Sequence, residues 1–191
     1  MKKSLLIGLL VVAVMSGCAQ PAPGPGMITP KAAFATWRDA HENVDILDVR
    51  TPSEFVFVGH APMARNIPSK FMANRWDAKE NKPVMVPNPN FVAEVKKHYK
   101  LDDMLLVMCG SGKRSAGAVK LLREAGFKNV LDIEGGFEGA RGTDCSDHGV
   151  GKLIKPGWKN SGLLWTWVNN PDLLYAPDAP TASHPLVQAG S

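Results

Sequence analysis

The chain has 191 residues, 22 Lys and Arg against 18 Asp and Glu, and 45% apolar residues. That balance excludes a disordered chain, a collagen-like chain and a small disulfide-stapled scaffold. The length suits one domain of ordinary size, and a formal charge of +4 without a basic patch gives no nucleic-acid signature.

The first element is an apolar run. Met1-Lys2-Lys3-Ser4 leads into Leu5–Met15, eleven apolar residues. That length suits the core of a cleaved signal peptide and falls short of a membrane-spanning helix. Ser16-Gly17-Cys18 follows. A small-small-Cys ending resembles the bacterial lipobox, with Met15 where Leu is usual. The resemblance implies cleavage after residue 17 and lipid attachment at Cys18, with membrane contact through that anchor. Ala19 after the cysteine, rather than Asp, implies a periplasm-facing site on the outer membrane. A cleaved signal without lipid is the alternative. Residues 18–27 are rich in Pro and Gly and read as a linker, of which Gln20 to Gly26 form an extended tether reaching about 20 Å.

Thr29-Pro30 is a helix start, a capping residue followed by proline. Ala33, Phe34, Trp37 and Ala40 continue it at helical spacing as far as His41. Val44–Val49 reads as a strand. Asn90 to Tyr99 reads as a helix with Phe91, Val92 and Val95 on one face. Met104–Met108 is an unbroken apolar run, the pattern of a strand buried on both faces of a parallel sheet. Arg114 to Ala125 carries Ala118, Val119, Leu122 and Ala125 on one stripe and stops at Gly126. Asn129–Ile133 is a further strand, closed by Gly135-Gly136. Strands alternating with helices predict an α/β fold with a small parallel sheet between helices on both faces. That body spans residues 28–140. Residues 141–175 are rich in Pro and Trp and are predicted to pack on it, and 176–191 read as a loose tail.

The informative segment is Cys109-Gly110-Ser111-Gly112-Lys113-Arg114-Ser115. It follows a buried strand and precedes a helix, where open α/β sheets place their sites. A short glycine-rich loop turns successive amides inward as an anion cradle. The helix start, Lys113 and Arg114 add positive potential, and each of these terms favours thiolate over thiol at Cys109.

This loop resembles that of the rhodanese sulfurtransferases. The resemblance extends to Asp48-Val49-Arg50-Thr51-Pro52-Ser53-Glu54-Phe55, to Gly59-His60-Ala61 and Ala64–Pro68, and to Glu134-Gly135-Gly136-Phe137, in the family's order over roughly 28–140. It implies a persulfide on Cys109, held by the loop from Gly110 to Ser115, with no cofactor. It implies a small sulfur-donor anion, and cyanide, a thiol or a protein as acceptor. Six residues run from Cys109 to Arg114, where the related phosphatases use seven. Lys113 and Arg114 suit a dianion such as thiosulfate better than mercaptopyruvate, and both are expected to bind the donor.

Asp48, Arg50 and Glu54 are expected to form one structural ion-pair network after the first strand. His60 reads as a structural hydrogen-bonding residue. Trp158, Trp165 and Trp167 read as core packing. Cys145, in Asp144-Cys145-Ser146-Asp147-His148, is open between an unpaired thiol and a redox partner of Cys109. No metal is expected, because a second ligand pair is lacking. Two other functions stay open: a persulfide carrier that serves a protein partner, and a thiol–disulfide protein of the envelope using Cys109 and Cys145.

Overall fold

The computed structural model describes residues 24–141 and 153–175. The signal segment, Cys18, Cys145, His148 and the tail from 176 lie outside the described residues.

Five strands form one parallel sheet in the order β1-β7-β6-β2-β3. They are β1 (Met27–Ile28), β2 (Val44–Asp48), β3 (Arg65–Asn66), β6 (Met104–Met108) and β7 (Asn129–Ile133). The apolar run of β6 sits centrally, paired with β2 on one side and β7 on the other. Its Leu105–Met108 are buried completely, as an unbroken apolar strand must be when both faces are covered. Between β3 and β6 a separate antiparallel hairpin is inserted, β4 (Lys70–Asp77) with β5 (Lys82–Pro87). A short pair, β8 (Ala140–Arg141) with β9 (Leu153–Lys155), follows β7.

Four α-helices are seen among the described residues: α1 (Pro30–Ala40), α2 (Pro52–Val58), α3 (Phe91–His98) and α4 (Lys113–Glu124). The alternation of side chains along each strand divides the core in two. Leu47, Leu105, Val107 and Val130 meet Phe91 and Val95 of α3 and Ala118, Val119 and Leu122 of α4. Ile46, Leu106, Met108 and Ile133 meet Ala33 of α1, Phe55 of α2 and Trp158.

Caps fix where the helices begin. Thr29 caps α1, its hydroxyl accepting the Ala32 amide at 3.3 Å. Asn90 stands at the start of α3 but makes no side-chain cap bond. Asn88 takes up that end of the chain instead, accepting the Asn90 amide through Oδ1 at 3.0 Å. At α2 a full capping box closes: the Thr51 hydroxyl accepts the Glu54 amide, and the Glu54 carboxylate accepts the Thr51 amide. Pairing both free amides this way starts a seven-residue helix that propensity alone would not hold.

The three tryptophans of the C-terminal extension differ. Trp158 is fully buried and donates through Nε1 to Leu164 O at 2.8 Å. Trp165 is half-buried, and Trp167 is 60% exposed, so core packing describes only the first of them fully. A backbone bridge between His60 and Thr166 ties the extension to the turn after α2.

Candidate active site

Cys109 directly follows the carboxyl end of β6, and Gly110-Ser111-Gly112 leads from it into α4. Gly112 enters the helix with φ 92°, in the left-handed region that glycine adopts without strain. That turn aims backbone amides at the sulfur. Gly112 N lies 3.2 Å and Arg114 N 3.3 Å from Cys109 Sγ. The Ser115 hydroxyl is 3.5 Å away. Two amides, a hydroxyl and the positive end of α4 therefore converge on the sulfur of a residue that is only 1% exposed. Such an arrangement stabilises negative charge on that sulfur or on one bonded to it.

The glycine pair after β7 braces this loop. Phe137 N donates to Cys109 O at 2.6 Å and Glu138 N to Gly110 O at 2.8 Å. Gly136 has φ 61°, and a Cβ there would collide with the Cys109 carbonyl. Gly135 is backed by Pro156, and Trp158 N donates to Gly136 O at 2.8 Å. The C-terminal extension thus supports the turn that supports the loop.

The three charged residues of the first motif separate into two pairs. Asp48 and Arg50 form a fully buried ion pair, Nη2 to Oδ2 at 2.7 Å. Arg50 Nη2 also donates to Gly59 O at 2.8 Å, and its guanidinium lies over the Phe137 ring at 4.2 Å. Glu54 is not part of this pair. Its carboxylate receives both terminal nitrogens of Arg114, one of them at 2.7 Å. The expectation of a single network thus gives way to two, one internal and one reaching the loop. Arg114, expected to bind the donor, reaches the sulfur with its backbone amide and walls the pocket with its side chain. Its guanidinium is already held by a carboxylate. Lys113 remains exposed.

Burial works against charge on Glu54. The Arg114 and Thr51 bonds outweigh it and hold the carboxyl below the usual glutamate range. A lowered value means that the pair stabilises the fold above the ordinary glutamate range and fades as acid protonates Glu54. Glu54→Gln keeps the cap but loses the charge. Its expected cost in urea unfolding is on the order of 1–2 kcal/mol at neutral pH. The gap to the wild type should close as the pH falls through the lowered value.

A pocket of about 320 Å³ opens over Gly110 and Ser111, walled by Glu54, Arg114, Glu138 and Arg141. Its size suits a small ligand. Glu138 and Arg141 were not legible as site residues, because they come close only through the turn after β7. His60 is buried away from solvent, its Nδ1 3.1 Å from Phe55 O and its ring stacked on Phe55 at 3.8 Å. Among the described residues no three His, Cys, Asp or Glu side chains gather as metal ligands.

A profile described as the rhodanese-like domain matches residues 33–142. Thiosulfate sulfurtransferase 16, chloroplastic, of Arabidopsis thaliana is 43% identical over 91 residues, covering 48% of this chain and 68% of that protein. The senescence-associated protein DIN1 of Raphanus sativus is 40% identical over 91 residues, 48% of this chain and 45% of that one. The chain therefore spans about half the length of the radish protein. The solved structure of Rv0390 from M. tuberculosis aligns with 75% of this chain and 98% of its own, with TM-score 0.55 and 26% identity.

Proposed function

The chain belongs to the rhodanese-like domain family, and from that premise we propose that it is a sulfurtransferase working through a persulfide on Cys109. The observation that carries this reading is the convergence of the Gly112 and Arg114 amides and the Ser115 hydroxyl on Cys109 Sγ.

In the first step the Cys109 thiolate attacks the outer sulfur of thiosulfate. The sulfur–sulfur bond of the donor breaks, and its electron pair leaves on sulfite. The sulfane sulfur stays on Cys109 as a persulfide anion, next to the same amides that held the thiolate. In the second step an acceptor such as cyanide or a thiol attacks that outer sulfur, and the thiolate returns. This is covalent catalysis with ping-pong order. Charge is conserved at the sulfur in both steps, so the loop needs donors and no separate base.

Thiosulfate as donor is supported by the helix start, by exposed Lys113 and by the names of two relatives, thiosulfate sulfurtransferases 16 and 18 of Arabidopsis thaliana. Transfer to cyanide from thiosulfate and from mercaptopyruvate, measured side by side, tests it. The expected result is a higher kcat/KM with thiosulfate; the reverse order overturns that donor.

For its place in the cell we propose a lipid anchor at Cys18, supported by the apolar run Leu5–Met15 and the small residues before the cysteine. Cys18→Ala should move the protein from the membrane fraction to the soluble one. Retention in the membrane would contradict lipid attachment.

A further inference from the structure

Among the described residues, no aliphatic or aromatic side chain walls the pocket over Gly110 and Ser111. Its lining side chains are those of Glu54, Ser111, Arg114, Glu138 and Arg141. An apolar ligand gains little there from burial, so charge decides what the pocket favours. Cys109 itself is 1% exposed, and the pocket opens over the two residues that follow it.

Three charged groups meet at one point of this lining. A Cβ built on Gly110 would lie 3.3 Å from Arg114 Nη2, 3.3 Å from Glu138 Oε1 and 3.8 Å from Glu54 Oε1. The space beside that glycine is therefore bordered by one guanidinium and two carboxylates. Arg114 and Glu54 answer each other as an ion pair, which leaves the Glu138 carboxylate in excess at that point. Arg141 stands elsewhere in the lining, and Lys113 is exposed at the start of α4. Glu138 is half-buried and fixed by its backbone on two sides. Its amide donates to Gly110 O at 2.8 Å, and its carbonyl accepts Asn160 Nδ2 at 2.6 Å. The nucleophile's loop and the C-terminal extension thus hold this carboxylate against Gly110.

We propose that Glu138 is a specificity-determining residue that selects, as sulfur acceptor, a small thiol carrying an ammonium group close to its sulfur over an anionic thiol. The acceptor class rests on the proposed function; the charge selection at Cys109 does not. In the second half of the cycle the thiol gives its proton to solvent, and its thiolate attacks the outer sulfur of the persulfide. The bond between the two sulfurs breaks, its electron pair returns to Cys109, and the acceptor leaves as its own persulfide. As the new bond forms, the ammonium donates to the Glu138 carboxylate, a charge-assisted hydrogen bond in a pocket open to water. A carboxylate on the acceptor meets repulsion instead. The dianionic donor of the first half gains nothing from Glu138; the helix start and Lys113 serve it.

The test compares cysteamine, 2-mercaptoethanol and 3-mercaptopropionate as acceptors of sulfur from thiosulfate. It uses the full chain, Glu138→Gln and Glu138→Lys. The three thiols are of similar size and differ in charge. In ping-pong order kcat/KM for each acceptor reports its own half-reaction. The variant-to-wild-type ratio for each thiol cancels that thiol's intrinsic reactivity. Relative to 2-mercaptoethanol, Glu138→Gln should lower kcat/KM for cysteamine about two- to fivefold and raise it for 3-mercaptopropionate, the scale of one partly solvated charge pair. Glu138→Lys should exceed both changes. Equal ratios for the three thiols overturn the proposal. So does a uniform loss with all three, which would make Glu138 a brace of the loop only. Glu138→Ala serves if Glu138→Gln does not fold, with the same outcomes. Peptide-resolved modification of Cys109 by 2-aminoethyl and 2-sulfonatoethyl methanethiosulfonate, run on the same proteins, needs no sulfur transfer. Glu138→Gln should lower the ratio of the cationic to the anionic rate there by a similar factor. That shift without any transfer in the wild type would retain the charge selection and reject the function. Transfer without either shift would retain the function and reject the selection.

Discussion

Replacing Cys109 by serine lowers sulfur transfer by at least about a thousandfold, the scale of losing a covalent nucleophile. Serine differs from cysteine by one atom, so the Gly112 and Arg114 amides keep an acceptor. Its hydroxyl is a far weaker nucleophile toward sulfur than a thiolate. It also forms no stable link to a sulfane sulfur. Unfolding in urea should therefore match the wild type within about 0.5 kcal/mol, since a near-isosteric change leaves the cradle filled. Retained transfer in the Cys109→Ser protein would remove the nucleophile from this account.

Arg50→Ala carries the largest expected cost in stability. It leaves Asp48 as a fully buried carboxylate with no cation, because both side chains are at 0% exposure. Removing one member of such a pair costs about 3–5 kcal/mol. The same change frees Gly59 O and uncovers the Phe137 ring, so the turn after α2 and the turn beneath the loop loosen together. A large fall in the urea midpoint with an unchanged slope checks this. A loss below about 1 kcal/mol would contradict a structural role for the pair. Replacing both residues by apolar ones of similar size should cost less than the single change.

Much of the fold was legible because its signals are local. The Thr29-Pro30 start of α1, the unbroken apolar run of β6 and the stripe of α4 each lie within a dozen residues. The capping box of α2 was equally local, in Thr51-Pro52-Ser53-Glu54, yet these residues read first as part of a family motif. The hairpin β4–β5 left no clean alternation. A shift in register between Met72 and Trp76 breaks the period on one strand, and Pro83 and Pro87 sit in the other. Strand β1 is two residues long and starts at the last residue of the segment read as a linker; only its pairing with β7 makes it a strand.

The site was legible to the same extent. The nucleophile, its loop and the helix behind it form one continuous stretch. The partners were not, because they are made by folding. Glu54 meets Arg114 across 60 positions of sequence, and no spacing rule pairs them.

In the proposed cycle Cys109 carries the sulfur. Intact-mass measurement of the protein after thiosulfate treatment, with peptide mapping, tests it most directly. One added sulfur on Cys109 is expected, lost on addition of cyanide and absent from the Cys109→Ser protein. No added mass, or added sulfur on another cysteine, would contradict it.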